Sequence, residues 1–208
     1  MRSTSALISG LLVLLAACGG GSGATSVPTA STLSIVLPSA TMISGTDMQA
    51  SALIDGAPAS GVSWSSENTA IVSVTTTGEL HATQQGSTVL TATRGSIKGT
   101  AIVVVKPGAP ILVRVYSGDR QSSSTGSNLA EPLCTIVMDA ASNMITGLVV
   151  TYTVATGGGT VGAPSAPATN AQGIAISGLW RLGATPGKQT VTATYGNLPP
   201  VTFEATAQ

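Results

Sequence analysis

Aromatic side chains are scarce in this chain, with one Phe, three Tyr and two Trp among 208 residues. Charge is scarce as well: Asp, Glu, Lys and Arg make up 8% of the sequence and cancel to a formal net charge of zero. A nucleic-acid-binding protein needs a basic stripe, and eight Lys and Arg offset by eight acidic residues do not supply one. One histidine, His81, is the only candidate base of its type, and it falls in a predicted strand rather than beside a nucleophile. No local run of His, Cys and carboxylates has metal-site spacing, so no cofactor is expected. No stretch of the first strand-rich region, residues 31–105, sustains a helical period. The two cysteines, Cys18 and Cys134, allow at most one disulfide.

What the chain has is Thr, Ser, Val, Ala and Gly, with 43% hydrophobic residues, enough to argue against disorder. Thr and Val are β-branched and suit strands, while 25 Gly and 11 Pro supply turns. This is the composition of an all-β protein built from many short strands.

Arg2 is the only charged residue before Asp47, and an apolar run follows it from Leu7 to Ala17, broken by Ser9 and Gly10. A charged start and a short apolar stretch are the layout of a secretion signal. The run is shorter than the roughly 20 apolar residues that a membrane-spanning helix needs. It ends Leu15-Ala16-Ala17-Cys18 and is followed by Gly19-Gly20-Gly21-Ser22-Gly23. That ending resembles the lipobox of bacterial lipoproteins. The resemblance implies that Leu15, Ala16 and Ala17 are read by the signal peptidase and that Cys18 carries the lipid, anchoring the chain to a membrane. Gly19 stands where many Gram-negative lipoproteins carry the Asp that retains them at the inner membrane. The resemblance therefore implies a cell-envelope location, at the outer membrane or cell surface. The alternative is an ordinary signal cut after Ala17, with Cys18 an incidental thiol.

The remaining organisation follows from composition and period. Residues 1–17 read as the signal peptide, 18–30 as the lipidated cysteine and a flexible Gly/Ser/Thr tether, and 106–110 as a short, fairly stiff hinge with two prolines and a glycine. Between and after them, 31–105 and 111–208 alternate apolar and polar residues with period two. Leu148, Val150, Tyr152 and Val154 are expected on one face, Val149, Thr151 and Thr153 on the other. Trp64, the only aromatic of the first segment, is expected at the centre of its core.

Val62-Ser63-Trp64-Ser65-Ser66-Glu67-Asn68, Ala70-Ile71-Val72-Ser73-Val74, Gly78-Glu79-Leu80-His81-Ala82 and Gly86-Ser87-Thr88-Val89-Leu90-Thr91-Ala92-Thr93 follow one another in 31–105. In this order they resemble the bacterial Ig-like group 2 (Big2) family. Ser117-Gly118-Asp119-Arg120-Gln121, Leu129-Ala130-Glu131-Pro132-Leu133, Thr169-Asn170-Ala171-Gln172-Gly173 and Trp180-Arg181-Leu182-Gly183 punctuate 111–208. These resemble the Big1 family, the Ig-like repeats of intimin- and invasin-type adhesins. Together the resemblances imply two tandem immunoglobulin-like β-sandwiches, used in such proteins mainly as rigid spacers.

Several features compete for a functional role. Gly157-Gly158-Gly159-Thr160-Val161-Gly162 matches a dinucleotide fingerprint in letters only, because Ala163-Pro164-Ser165-Ala166-Pro167 forbids the helix that should follow, so a hairpin is expected. Asp119 and Asp139 read as turn caps, with calcium ligation as the alternative. By family resemblance Leu133, Thr135 and Val137 point inward, which leaves Cys134, Ile136 and Met138 on the outer face. Either that face is covered, or the facing is reversed, or the three form an apolar stripe for a partner. An oxidised Cys134 dimer is a further alternative. The reading is of a non-catalytic, lipid-anchored envelope protein acting as stalk or adhesion module. The alternative is a module that binds an envelope or host protein or a glycan.

Overall fold

Alternation of branched apolar residues with threonine leaves the backbone little choice but the extended form. The computed structural model describes residues 30–208, and among them it contains nineteen strands and no helix. The first ten are β1 (Leu33–Val36), β2 (Thr41–Ile43), β3 (Asp47–Gln49), β4 (Ser51–Ile54), β5 (Ala57–Pro58), β6 (Ser63–Ser66), β7 (Val72–Val74), β8 (Glu79–Ala82), β9 (Gly86–Arg94) and β10 (Ile97–Lys106). The rest are β11 (Leu112–Ser117), β12 (Gln121–Ser123), β13 (Cys134–Met138), β14 (Thr151–Thr156), β15 (Gly159–Val161), β16 (Ile174–Ile176), β17 (Trp180–Leu182), β18 (Gly187–Thr194) and β19 (Val201–Ala207). No hydrogen-bonded sheet mixes strands of the two groups. The chain is thus all-β, folded as immunoglobulin-like sandwiches.

Each group repeats one topological device: its first strand is divided between two sheets. β1 pairs antiparallel with β4, and β2 then runs parallel to β10 in the sheet β2-β10-β9-β6. Likewise β11 pairs antiparallel with β13, and β12 runs parallel to β19 in the sheet β12-β19-β18-β14. The second crossing explains the run Ser117–Gln121. Gly118 takes a left-handed φ of 86°, and a Cβ there would lie 2.1 Å from the Pro132 carbonyl oxygen, so no other residue fits. Asp119 accepts the Glu204 N–H at 2.8 Å, and Arg120 donates its own N–H to the Glu204 carbonyl at 2.8 Å. Gln121 accepts the Glu131 N–H at 2.8 Å and donates to the Gly118 carbonyl at 2.7 Å. The motif therefore satisfies the backbone groups that a strand exposes when it leaves one sheet for another.

The cores lie between the sheets. In the second sandwich Val137 and Ala175 face Val191, Ala193 and Phe203, with Trp180 fully buried beside them. Leu148, Val150, Tyr152 and Val154 all join this core, and Val149, Thr151 and Thr153 are exposed, as the alternation requires. In the first sandwich the largest fully buried side chains are Leu80, Leu90, Val72 and Val103. Trp64 departs from its expected central place. It is only half-buried, because it lies on the edge strand β6 and joins the Leu80–Leu90 cluster to a smaller one around Leu33, Ala52 and Ala92.

The glycine run also differs from expectation. β14 pairs with β18, whereas β15 pairs with β17, so Gly157 and Gly158 connect two sheets and do not turn a hairpin. A Cβ on Gly157 would sit 2.2 Å from Gln189 Cγ. Gln189 is buried, accepting the Gly183 N–H at 2.8 Å and donating to the Thr185 carbonyl at 2.8 Å. The glycine serves close packing against this internal glutamine.

Candidate functional site

Leu15, Ala16, Ala17 and Cys18, with the signal and most of the tether, lie outside the described residues. Among the described residues no helix is long and apolar enough to cross a membrane. Residues Ser31–Gln208 form one compact unit, and the richest polar geometry in it lies where the two sandwiches meet.

That junction begins with the linker. Lys106 accepts the Ser44 N–H through its carbonyl at 2.9 Å, and Ile111 donates its N–H to the Met138 carbonyl at 3.0 Å. Between these anchors Gly108 donates its N–H to Asp139 Oδ2 at 2.7 Å. Asp139 opens a five-residue loop in which its Oδ1 accepts the N–H groups of Ala141 (2.9 Å) and Asn143 (2.8 Å). Ser142 takes a left-handed φ of 64°, and the Asp139 N–H closes the loop on the Asn143 carbonyl at 3.1 Å. Burial alone pushes the Asp139 carboxyl up, but the hydrogen bonds from Asn143, Gly108 and Ala141 outweigh it and hold the group below its ordinary value. Asp139 is therefore a turn cap that also ties the linker, and both its oxygens are spent on N–H donors.

Asn143 is buried and reaches across the junction. Its Nδ2 donates to Ser44 Oγ at 2.9 Å, to the Thr83 carbonyl at 3.1 Å and to Asp139 Oδ2 at 2.9 Å. Its Oδ1 accepts the Gln85 N–H at 2.7 Å. A groove of about 350 Å³ lies alongside, walled by Ser44, His81 and Thr83 from the first sandwich and by Gly108, Ile111 and Asp139. No sequence signal marks Asn143. An asparagine after Ala-Ala-Ser reads as a turn residue, and its partners lie 58 to 99 positions away.

The second feature is the outer face of the sheet β11-β13-β16. Leu133, Thr135 and Val137 are buried inward. The cross-strand rows of the other face are Leu112 with Met138, Arg114 with Ile136 and Ile174, and Cys134 with Ile176. Leu112 and Ile176 are exposed, Ile136, Met138 and Ile174 half-exposed, and Arg114 exposed among them. Cys134 belongs to this face by register but is only 7% exposed, because it sits on the central strand between β11 and β16. Its thiol is free and is not presented for a disulfide between molecules. The usable face thus consists of Ile136 and Met138 with Leu112, Ile174 and Ile176, and sequence reading named only the members on β13.

The remaining candidates resolve simply. His81 and Asp47 are register partners on β8 and β3, and their exposed side chains meet at 2.5 Å. Asp119 accepts from backbone at the strand crossing. Among the described residues no three His, Cys, Asp or Glu side chains gather as metal ligands would.

Comparison with known proteins adds the following. Residues 30–105 match the family model of the bacterial Ig-like domain (group 2). No curated protein matches the chain. Among solved structures, domains 4 and 5 of the S-layer protein SbsC are 17% identical over 85% of this chain and 97% of that one, with a TM-score of 0.41. The D00–D0 domain of intimin is 11% identical over 83% and 96% of the two chains, with a TM-score of 0.47. FdeC, an Escherichia coli adhesin, is 14% identical over 85% of this chain, with a TM-score of 0.46, and the match spans 64% of FdeC.

Proposed function

We propose that the protein, whose residues 30–105 match the bacterial Ig-like domain (group 2), is a non-catalytic spacer of the cell envelope, held to a membrane by lipid on Cys18. The observation that carries the reading is how the polar side chains of the chain's motifs are used. Asp119, Gln121, Asp139 and Asn170 each use a side-chain oxygen to accept backbone N–H groups at crossings and turns. Side chains committed in this way hold a scaffold in shape and are not free to move protons. The Gly/Ser tether after Cys18 supports the anchor, because it would hold the folded part clear of the lipid surface. The test is incorporation of radiolabelled palmitate by cells expressing the full chain. Label is expected in the wild type and lost in Cys18→Ser; label retained in Cys18→Ser overturns the anchor. Protease shaving of intact cells then places the sandwiches at the cell surface or inside the envelope.

The outer face of β11-β13-β16 favours a second reading, a binding module for an envelope or host protein. A face of Leu, Ile and Met around one arginine suits an apolar protein surface better than a glycan, which is usually held by exposed aromatic rings. A screen of proteins and glycans against the mature chain should return a protein ligand whose binding is lost in Ile174→Lys. A glycan ligand indifferent to that change would sink this reading.

A further inference from the structure

We infer that the loop Asp139–Asn143 is a latch that fixes the orientation of the second sandwich on the first, so that the pair moves as one rigid body. The linker alone does not achieve this. Proline fixes φ at Pro107 and Pro110, but the torsions of Gly108 and Ala109 between them stay free. What removes that freedom is a side chain. Asn143 is 5% exposed, and both ends of its amide are used on the first sandwich: Nδ2 on Ser44 Oγ and the Thr83 carbonyl, Oδ1 on the Gln85 N–H. Three contacts from one planar group, to points after β2 and after β8, define an orientation and not merely a proximity.

The latch is also shaped before it engages. Asp139 binds the N–H groups of Ala141 and Asn143, all within the second sandwich, so the loop is ordered by its own residues. Its other oxygen holds Gly108, the most permissive residue of the linker, and touches the Asn143 amide. One carboxylate thus couples the latch to the hinge it restrains. Loss of the Asn143 amide would leave the Gln85 N–H to water and the Thr83 carbonyl with Ser44 Oγ alone, and the hydrogen bonds left at the junction would be those of Gly108 and the linker. The inference does not depend on the lipid anchor or on any ligand.

The test is to measure residual dipolar couplings on the isotope-labelled full chain. A latched pair requires a single alignment tensor for both sandwiches. In Asn143→Ala each sandwich should keep its own internal couplings but need a separate tensor, with the second reduced at least twofold relative to the first. Ser44→Ala, which alters only the first sandwich, should loosen the pair to a smaller extent. Two tensors in the wild type, or one tensor surviving in Asn143→Ala, would overturn the latch. Should Asn143→Ala fail to fold, Ser44→Ala decides alone: an unchanged single tensor overturns the inference, and a weakened one upholds it.

Discussion

Tyr152 shows how much one polar group can organise. Its hydroxyl donates to the Ala175 carbonyl at 2.8 Å, so the 2.9 Å contact with Thr135 Oγ1 must be donated by the threonine. Tyr152 is on β14 and its partners are on β13 and β16, so the pair of bonds fastens one sheet to the other inside the core. Burial raises the phenol to about 12, with Thr135 opposing the shift in part. The folded value lies above the unfolded one near 10, so the stabilisation is complete below pH 10 and is lost as pH rises toward 12. Unfolding midpoints measured across that range should fall steeply in the wild type and less in Tyr152→Phe. At neutral pH the same substitution should cost about 1–2 kcal/mol, since it leaves Thr135 and the Ala175 carbonyl short of a partner. The sequence placed Tyr152 on the inward face, but the two sites its hydroxyl joins were not legible there.

At the scale of elements, the divided first strand is the feature that most constrains the fold. Gly118 makes the crossing possible because its backbone lies against the Pro132 carbonyl with a left-handed φ. Gly118→Ala should therefore destabilise the second sandwich by about 2 kcal/mol or more, through both the torsion and the contact. Chemical denaturation of the two variants would measure it, and a change below a few tenths of that value would mean the backbone shifts freely. Period-two alternation made each strand's faces readable, because successive Cβ atoms point to opposite sides whatever the strand pairs with. It did not reveal that β15 leaves the sheet of β14 for β17, and it did not place Trp64 on an edge. Those outcomes depend on strand order, which is settled by contacts distant in sequence.

At the scale of the whole molecule, the junction predicts an acid response. Asp139 has its folded pKa below the ordinary value of 3.8, so its contribution is complete above that pH and is lost as pH falls through the folded value. Coupling between the sandwiches should thus be constant from neutral pH down to about pH 4 and weaken only below it. In Asp139→Asn the acid-dependent part should vanish, as followed by the unfolding midpoint against pH. Two sandwiches joined in this way would keep their geometry through ordinary acidification.

By itself the sequence determined two things about this protein: that it is all-β, and which face of most strands is apolar. Both are local, resting on the chemistry of neighbouring residues and on the direction of Cβ along an extended chain. Only the tertiary structure decided that Cys134 is covered, that an apolar face spans β11, β13 and β16, and that Asn143 joins the two sandwiches. The reason is that burial, a shared face and a cross-domain hydrogen bond each need groups far apart in the chain to meet. No local pattern of residues records which distant groups those will be.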